Sequence, residues 1–281
     1  MQTVRSAIAS EVHKLVGSRA DMPGFVRGDG DAGLLGPGSA AWKVHGDFAT
    51  MMIGGVSALL LQMLHPVALA GVWDHSNFRH DMAGRLRRTA QFMAGTTFGS
   101  TDYAERLIDH VRSIHDSVTG VLPNGTPYAA NDPAVLTWVH ASGAWSFLGA
   151  YLRYRDPWLS AAEQDRYYAE TAEIARRLGA TNVPVTRHAT ERYLQQMRAA
   201  LRADARSREV ARVVLASPAP NAAIAPVGRV MMQAGIDLMP RWAQAMHGLR
   251  VPLFKRPLVR ASATGTAGVL RWALKRPATA A

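Results

Sequence analysis

The chain has 281 residues, with 32 Lys and Arg against 21 Asp and Glu and no cysteine. A formal charge of +11 would suit nucleic acid or an anionic surface, but eight of the cations and none of the acids fall in residues 241–281, which leaves residues 1–240 with 24 cations against 21 acids, or +3. The lack of cysteine excludes disulfides, thiolate zinc sites, iron–sulfur clusters, cysteine nucleophiles and thioether-attached haem, and 48% hydrophobic residues exclude a disordered or collagen-like chain.

No linker divides the sequence, so a single multi-helix domain is expected over residues 1–250, followed by a basic tail over 251–281. Val4, Ile8, Val12 and Val16 recur every four residues and predict an amphipathic first helix. That stretch has no continuous apolar core ending in a small-residue cleavage site, so a secretory signal is not expected and the cytoplasm is the expected compartment. Residues 20–38, with six glycines and two prolines, read as an irregular surface segment. Within it GDGDAG has the Gly-x-Gly-x-x-Gly spacing of a dinucleotide loop, but no strand precedes it and no apolar helix follows, so it reads as a plain loop.

From Phe48 to Trp73 there is no Asp, Glu, Lys or Arg. At about 1.5 Å per residue that run is long enough to cross a bilayer. Gly54, Gly55, Ser57, Gln62 and His65 favour a helix buried in protein, since lipid penalises an amide and an imidazole in mid-span, and Pro66 predicts a break or kink. A helix is expected over 82–98, and Ser100, with Asp102 and Glu105 behind it, opens another whose Leu107, Val111, Ile114 and Val118 share one face. Asn124-Gly125 between apolar flanks predicts a small hairpin. Asp132-Pro133 caps a long apolar helix, and Ser160 with Glu163 forms a capping box for one running to about Leu178. Helical patterns resume over Thr186 to Leu215 and over Val227 to Gly248, the latter kinked at Pro240, and a Ser/Thr/Gly run precedes a last short basic stretch, VLRWALKR. With no internal repeat and no strands alternating with helices, the fold class is all-α.

Seven of the ten histidines (His45, His65, His75, His80, His110, His115, His140) fall between residues 45 and 140. Each can be a hydrogen-bonded structural residue, but without cysteine imidazole is also the main nitrogen donor for a metal or haem iron. The Glu-x-x-His pairs of a di-iron bundle are absent, as are His-Glu-x-x-His, a phosphate loop ending in Gly-Lys-Ser/Thr, and Gly-x-Ser-x-Gly. Haem needs only one axial side chain and an apolar cavity. His115 and His110 lie at opposite edges of the stripe formed by Leu107, Val111, Ile114 and Val118, so helix geometry leaves both open. One helix earlier, Arg85, Arg88, Thr89 and Phe92 share a face. They read either as a solvated rim or as a cation and hydroxyl set facing a buried anion or bound oxygen.

The strings GGVSALLLQMLHPVALAGVWDHSNF, RLRRTAQFMAGTTFGS, VRSIHDSVTG and WVHASGAWSFLGAY, over roughly residues 40–155, resemble the oxygenase family of rubber oxygenase (latex clearing protein) and the MpaB-type enzymes. The resemblance implies a globin-like helical core around non-covalent haem b, with His115, in the motif V-R-x-x-H, as the proximal iron ligand, and with the segment Phe48 to Trp73 buried beside the haem. It places the family's distal motif on Arg85, Arg88 and Thr89. Arg88 stands where rubber oxygenase has a lysine able to cap the iron; arginine stays protonated, so that capping is not expected here. The family's glutamate base has no counterpart in the charge-free segment, so polyisoprene cleavage is not carried over. His65, His75, His80 and His140 lie in the same motifs without an assigned role.

The resulting expectation is a haem b-dependent oxygenase that acts with O2 on an apolar, isoprenoid- or lipid-like substrate. The alternative is a helical haem- or lipid-binding protein without catalysis. Nucleic acid is not an expected partner. Leu253, Phe254, Leu258, Leu270 and Trp272 among the tail's cations instead suggest peripheral contact with an anionic membrane.

Overall fold

Side chains at the helix starts set much of the architecture. In the computed structural model, which describes residues 30–217 and 225–274 together with positions 5, 10, 25 and 28, an Asp, Ser or Thr caps most of the helices. The helices, in chain order, are α1 (Ala40–His45), α2 (Phe48–Gln62), α3 (Pro66–His75), α4 (Met82–Phe98) and α5 (Thr101–Asp116), then α6 (Pro133–Tyr154), α7 (Ala161–Leu178), α8 (Arg187–Met197), α9 (Ala205–Leu215), α10 (Ala225–Leu238), α11 (Arg241–His247) and α12 (Arg256–Leu274). Between α5 and α6 lies a two-stranded antiparallel hairpin, β1 (Thr119–Val121) and β2 (Pro127–Ala129), with Gly120 opposite Tyr128 and Gly125 at φ +85° in the turn. The described residues are all-α apart from this hairpin, as expected. Val4, Ile8, Val12 and Val16, which carry the first predicted helix, lie outside the described residues.

Asp47, Asp81, Ser100, Asp132, Ser160 and Thr186 each accept a backbone N–H of their helix's first turn, at 2.8–3.2 Å. Each such cap contributes about 1 kcal/mol. Ser160 does this without the reciprocal half of the expected capping box, because Glu163 turns its carboxylate to Lys43 at 3.0 Å and to Arg166.

The centre of the fold is α2. It carries no charge because neighbours surround it: α6 along one side, α10 and α12 along another. Two glycines permit these close crossings. A Cβ at Gly54 would lie 2.9 Å from the Cα of Phe147 and 3.0 Å from the Ser146 carbonyl oxygen on α6, and a Cβ at Gly235 on α10 would lie 2.6 Å from Val56. The apolar run continues past Gln62 as a corner rather than a span. Residues 63–65 break the helix, Pro66 takes the first position of α3, and the two axes are bent by 102°. Among the described residues, no single helix is long and apolar enough to cross a membrane, and α2 with α3 meets the criterion only as this bent pair.

Two further expectations change in detail. The pattern from Thr186 to Leu215 is divided into α8 and α9, because Asp204 and Ser207 exchange hydrogen bonds of 2.8 and 3.0 Å in a capping box that starts a new helix, while Leu201 is buried and the Arg202 N–H donates to the Leu64 carbonyl oxygen at 2.8 Å. The kink foreseen at Pro240 is a full break, with Pro240 as the residue before α11. The basic segment after residue 250 is built into the body as far as residue 274. The Ser/Thr/Gly run is helical, Ala263 and Ala267 are fully buried in the α12 seam, and Gly265 and Gly268 face open space. Arg271 pairs with Asp47 beside α2, and Arg256 and Arg260 pair with Asp237 of α10.

Candidate functional site

Helices α4 and α5 cross closely because residue 95 is glycine: a Cβ there would meet Leu107 and Tyr103. The crossing brings the second half of α5 and the first half of α4 alongside the turn that leads into α6. Ile108 is buried, Leu107, Val111 and Val118 are half-buried, and Ile114, expected on the apolar face, is 47% exposed. On α4, Phe92 and Met93 are half-buried, and Leu86 packs against the cluster that includes Met63, Leu69 and Phe78.

His115 occupies the last turn of α5, half-buried, next to Asn131 of the turn before α6. The Asn131 amide nitrogen donates to the Arg112 carbonyl oxygen at 3.2 Å and to the Asp116 carboxylate, so the amide oxygen is turned away from these groups. That oxygen and the Nδ1 atom of His115 are both buried, and neither has a hydrogen bond of good geometry. The two side chains are nonetheless close enough for Asn131 to act on the ring as a hydrogen-bonding neighbour. Burial pushes the His115 pKa below the ordinary value; Asn131 and Asp116 push it back, and Arg85 adds to the lowering. The other ring nitrogen, Nε2, makes no hydrogen bond among the described residues and, unlike Nδ1, is not shut off from solvent. Neutral imidazole with an open nitrogen is the form that ligates iron.

Arg85 lies within electrostatic reach of His115. It is half-buried and donates to the Ser76 hydroxyl at 3.2 Å, and burial, with Arg88 nearby, lowers its pKa. Arg88 and Thr89 are exposed. Arg88 pairs with Asp81 at 3.3 Å, and the Thr89 hydroxyl donates to the Arg85 carbonyl oxygen of its own helix at 3.1 Å. Asn131 and Ser76 were not singled out in the sequence. Asn131 stands beside the Asp132-Pro133 cap and reads there as ordinary turn chemistry.

The other histidines fall into groups. His45 is buried and fully bonded, to Thr97 at 2.8 Å and Tyr167 at 3.0 Å, and His75 bonds the Thr119 carbonyl oxygen at 3.0 Å. His80 and His110 are exposed. His65, against Trp138 and within the field of Asp132, and His140 each have one buried ring nitrogen without a partner. Burial, then the charge of His140, holds the His45 pKa down to about 3, and burial, then Arg176, holds the His140 pKa down to about 4. Both are neutral in the fold and protonate near 6.5 when unfolded. Each therefore contributes stability that is present above that value and lost as pH falls through it toward the folded value. The urea midpoint is expected to drop between about pH 7 and about pH 5, ahead of most carboxylate titration. A flat profile across that window would contradict neutral burial.

Among the described residues there is no group of three or more His, Asp or Glu that could hold a metal ion. A haem iron takes four ligands from its porphyrin and requires a single side chain. The residues here meet the single-ligand requirement: His115 has an open Nε2 and a buried Nδ1 without a partner, with Asn131 and Arg85 acting on the ring and half-buried apolar residues on α4 and α5 nearby.

Residues 42–272 match the family model described as "ER-bound oxygenase mpaB/B'/Rubber oxygenase, catalytic domain". No curated protein and no solved structure matches the chain significantly.

Proposed function

The chain belongs to the family of mpaB/B' and rubber oxygenase catalytic domains, and on that footing we propose that it is a haem b-dependent oxygenase acting on an apolar substrate of isoprenoid or lipid type. The observation that carries this reading is His115, with Nε2 open, Nδ1 buried and Asn131 beside the ring. Haem, when bound, supplies the centre at which oxygen is activated. His115 would hold it through Nε2. Asn131, beside the ring, would take the Nδ1 proton in a hydrogen bond once the ring is held, fixing its tautomer. Arg85, steadied by Ser76, places a fixed positive charge beside the site, where it anchors a propionate or stabilises developing negative charge. Phe92, Leu107 and Val111 exclude water from the apolar side. Arg88 and Thr89 take distal roles from the family motif, and for Arg88 such a role means releasing Asp81. No carboxylate is available from Phe48 to Trp73 to act as a base, so polyisoprene cleavage is not proposed.

The reading is tested by titrating the full-length protein with haem and following its absorption. A saturable Soret band distinct from that of free haem, together with oxygen uptake that depends on an added long-chain alkene, is the expected result. A titration indistinguishable from haem in buffer sinks the assignment, and binding of lipid with no haem spectrum favours a non-catalytic binding protein instead.

Membrane contact through α12 and the turn before it belongs to the same proposal. Phe254 and Leu258 are 79% and 70% exposed, beside Lys255, and Trp272 is partly exposed on the same helix. Burying one such side chain is favourable by about 1.5–3 kcal/mol. The pair Phe254→Ser and Leu258→Ser is accordingly expected to weaken co-sedimentation with anionic vesicles by about tenfold or more. Unchanged sedimentation would remove this surface from any role in location.

A further inference from the structure

A second polar site lies away from His115, where α6, α8, α10 and α12 meet. Its centre is Asp237 of α10, whose side chain is wholly buried. Three guanidinium groups converge on that one carboxylate: Arg153 at 3.2 Å, Arg256 at 3.3 Å and Arg260 at 2.7 Å. A single negative charge balances one of the three. Beside them opens a cavity of about 350 Å³ whose wall adds Arg187, Arg241 and Glu191. Five arginines against two acids leave a formal +3 around this space. Arg187 and Arg241 do not contact Asp237. Arg187 is 3.9 Å from Asp165, and Arg241 is exposed and has no ion pair among the described residues. Like charges gathered around a concave, partly water-excluded surface repel one another, and an anion seated among them relieves that repulsion.

We propose that this cavity binds a phosphate group. Guanidinium forks match phosphate oxygens in bidentate pairs. A phosphate monoester or diphosphate carries two or more negative charges over several oxygens. It can therefore meet forks from α6, α8, α11 and α12 at once, which a carboxylate, with one charge and two oxygens, cannot. Apart from Gln164 and Tyr168, the rest of the wall is apolar, including Trp145, Leu148 and Leu238, and so accepts hydrocarbon attached to the phosphate. The phosphate has two possible sources, the headgroup of an anionic lipid or a free soluble phosphate ester. None of the lining residues belongs to α4 or α5, so the site is separate from the one built on His115.

The test is isothermal titration of the full-length protein with pyrophosphate and, separately, with acetate at matched ionic strength. It is run beside co-sedimentation with phosphatidylcholine vesicles, with or without phosphatidic acid. Arg187→Gln combined with Arg241→Gln removes two forks and leaves the Asp237 cluster intact, so folding is preserved and is checked by thermal melting. Saturable pyrophosphate binding, weakened about tenfold or more in the double variant and absent for acetate, is the expected result. Phosphatidic acid-dependent sedimentation that falls in the same variant and is competed by pyrophosphate assigns the phosphate to a lipid. Pyrophosphate binding without such sedimentation assigns it to a soluble ester. No saturable binding, equal binding of acetate, or binding unchanged in the double variant overturns the proposal.

Discussion

His115→Ala is expected to abolish the ligated Soret spectrum, and imidazole added to the solution is expected to restore it. His110→Ala should leave the spectrum intact. Both histidines lie on α5, but His110 is exposed, whereas His115 is half-buried with one nitrogen committed to the protein side and the other open. An axial imidazole that is lost leaves a gap that free imidazole can enter, so rescue separates ligation from general damage to the fold. Asn131 supplies a graded version of the same experiment. Asn131→Ala is expected to weaken haem binding by about 10–100-fold, the usual cost of losing an outer partner of a ligating histidine. Asn131→Asp places a negative charge on the Nδ1 side, makes the imidazole a stronger donor and should lower the iron reduction potential. A role confined to bracing Arg112 and Asp116 would change melting without moving that potential. A Soret band unchanged in His115→Ala would remove the residue from the iron.

The second large effect comes from the same substitution made at two glycines, with opposite signs. Gly54→Ala is expected to destabilise the protein by about 3 kcal/mol, lowering Tm by roughly 6–12 °C for a chain near this size. Gly265→Ala should stabilise it by about 0.5–1 kcal/mol. Alanine is the better helix former at both positions, so intrinsic propensity favours both changes. At Gly54 the new methyl group would lie within 3.0 Å of main-chain atoms of Phe147 and Ser146, and only separation of α2 from α6 relieves that contact. At Gly265 it meets nothing within 4 Å. Equal shifts of the same sign in thermal melting would show that the α2 and α6 crossing can relax, and that the close approach at Gly54 is not what holds it.

Much of the fold could be read from local signals that have one physical meaning. Asp132-Pro133, Ser100 and Asn124-Gly125 each satisfy a specific backbone group, and each marks an element boundary in the structure. The charge-free run from Phe48 had two readings, and the decision rested on Gln62 and His65, whose polar atoms require protein neighbours. Gln62 donates to the Val139 carbonyl oxygen at 3.0 Å and His65 stacks on Trp138. The break before α9 was hidden, because its capping box uses Asp204 and Ser207 instead of the commoner Ser/Thr with Glu. At the site, the difference in surroundings between half-buried His115 and exposed His110 was out of reach of the helical wheel, since Asn131 comes to His115 only through the hairpin between α5 and α6. The inward turn of Arg85 and the outward turn of Arg88 were equally hidden, because both sit within one helical turn and are separated only by their partners, Ser76 and Asp81.

The basic helix α12 has a bearing on how the chain is made. Arg271 reaches back 224 residues to Asp47 at the start of α2, and Arg256 and Arg260 cover the buried carboxylate of Asp237. A growing chain that has emerged only through residue 250 holds the central helix without α12 on its flank, with Arg155 alone on Asp47 and Arg153 alone on Asp237. Contacts so distant in sequence form late and slowly. The native core around α2 is therefore complete only after α12 has left the ribosome, and until then the flank of α2 that α12 covers stays open.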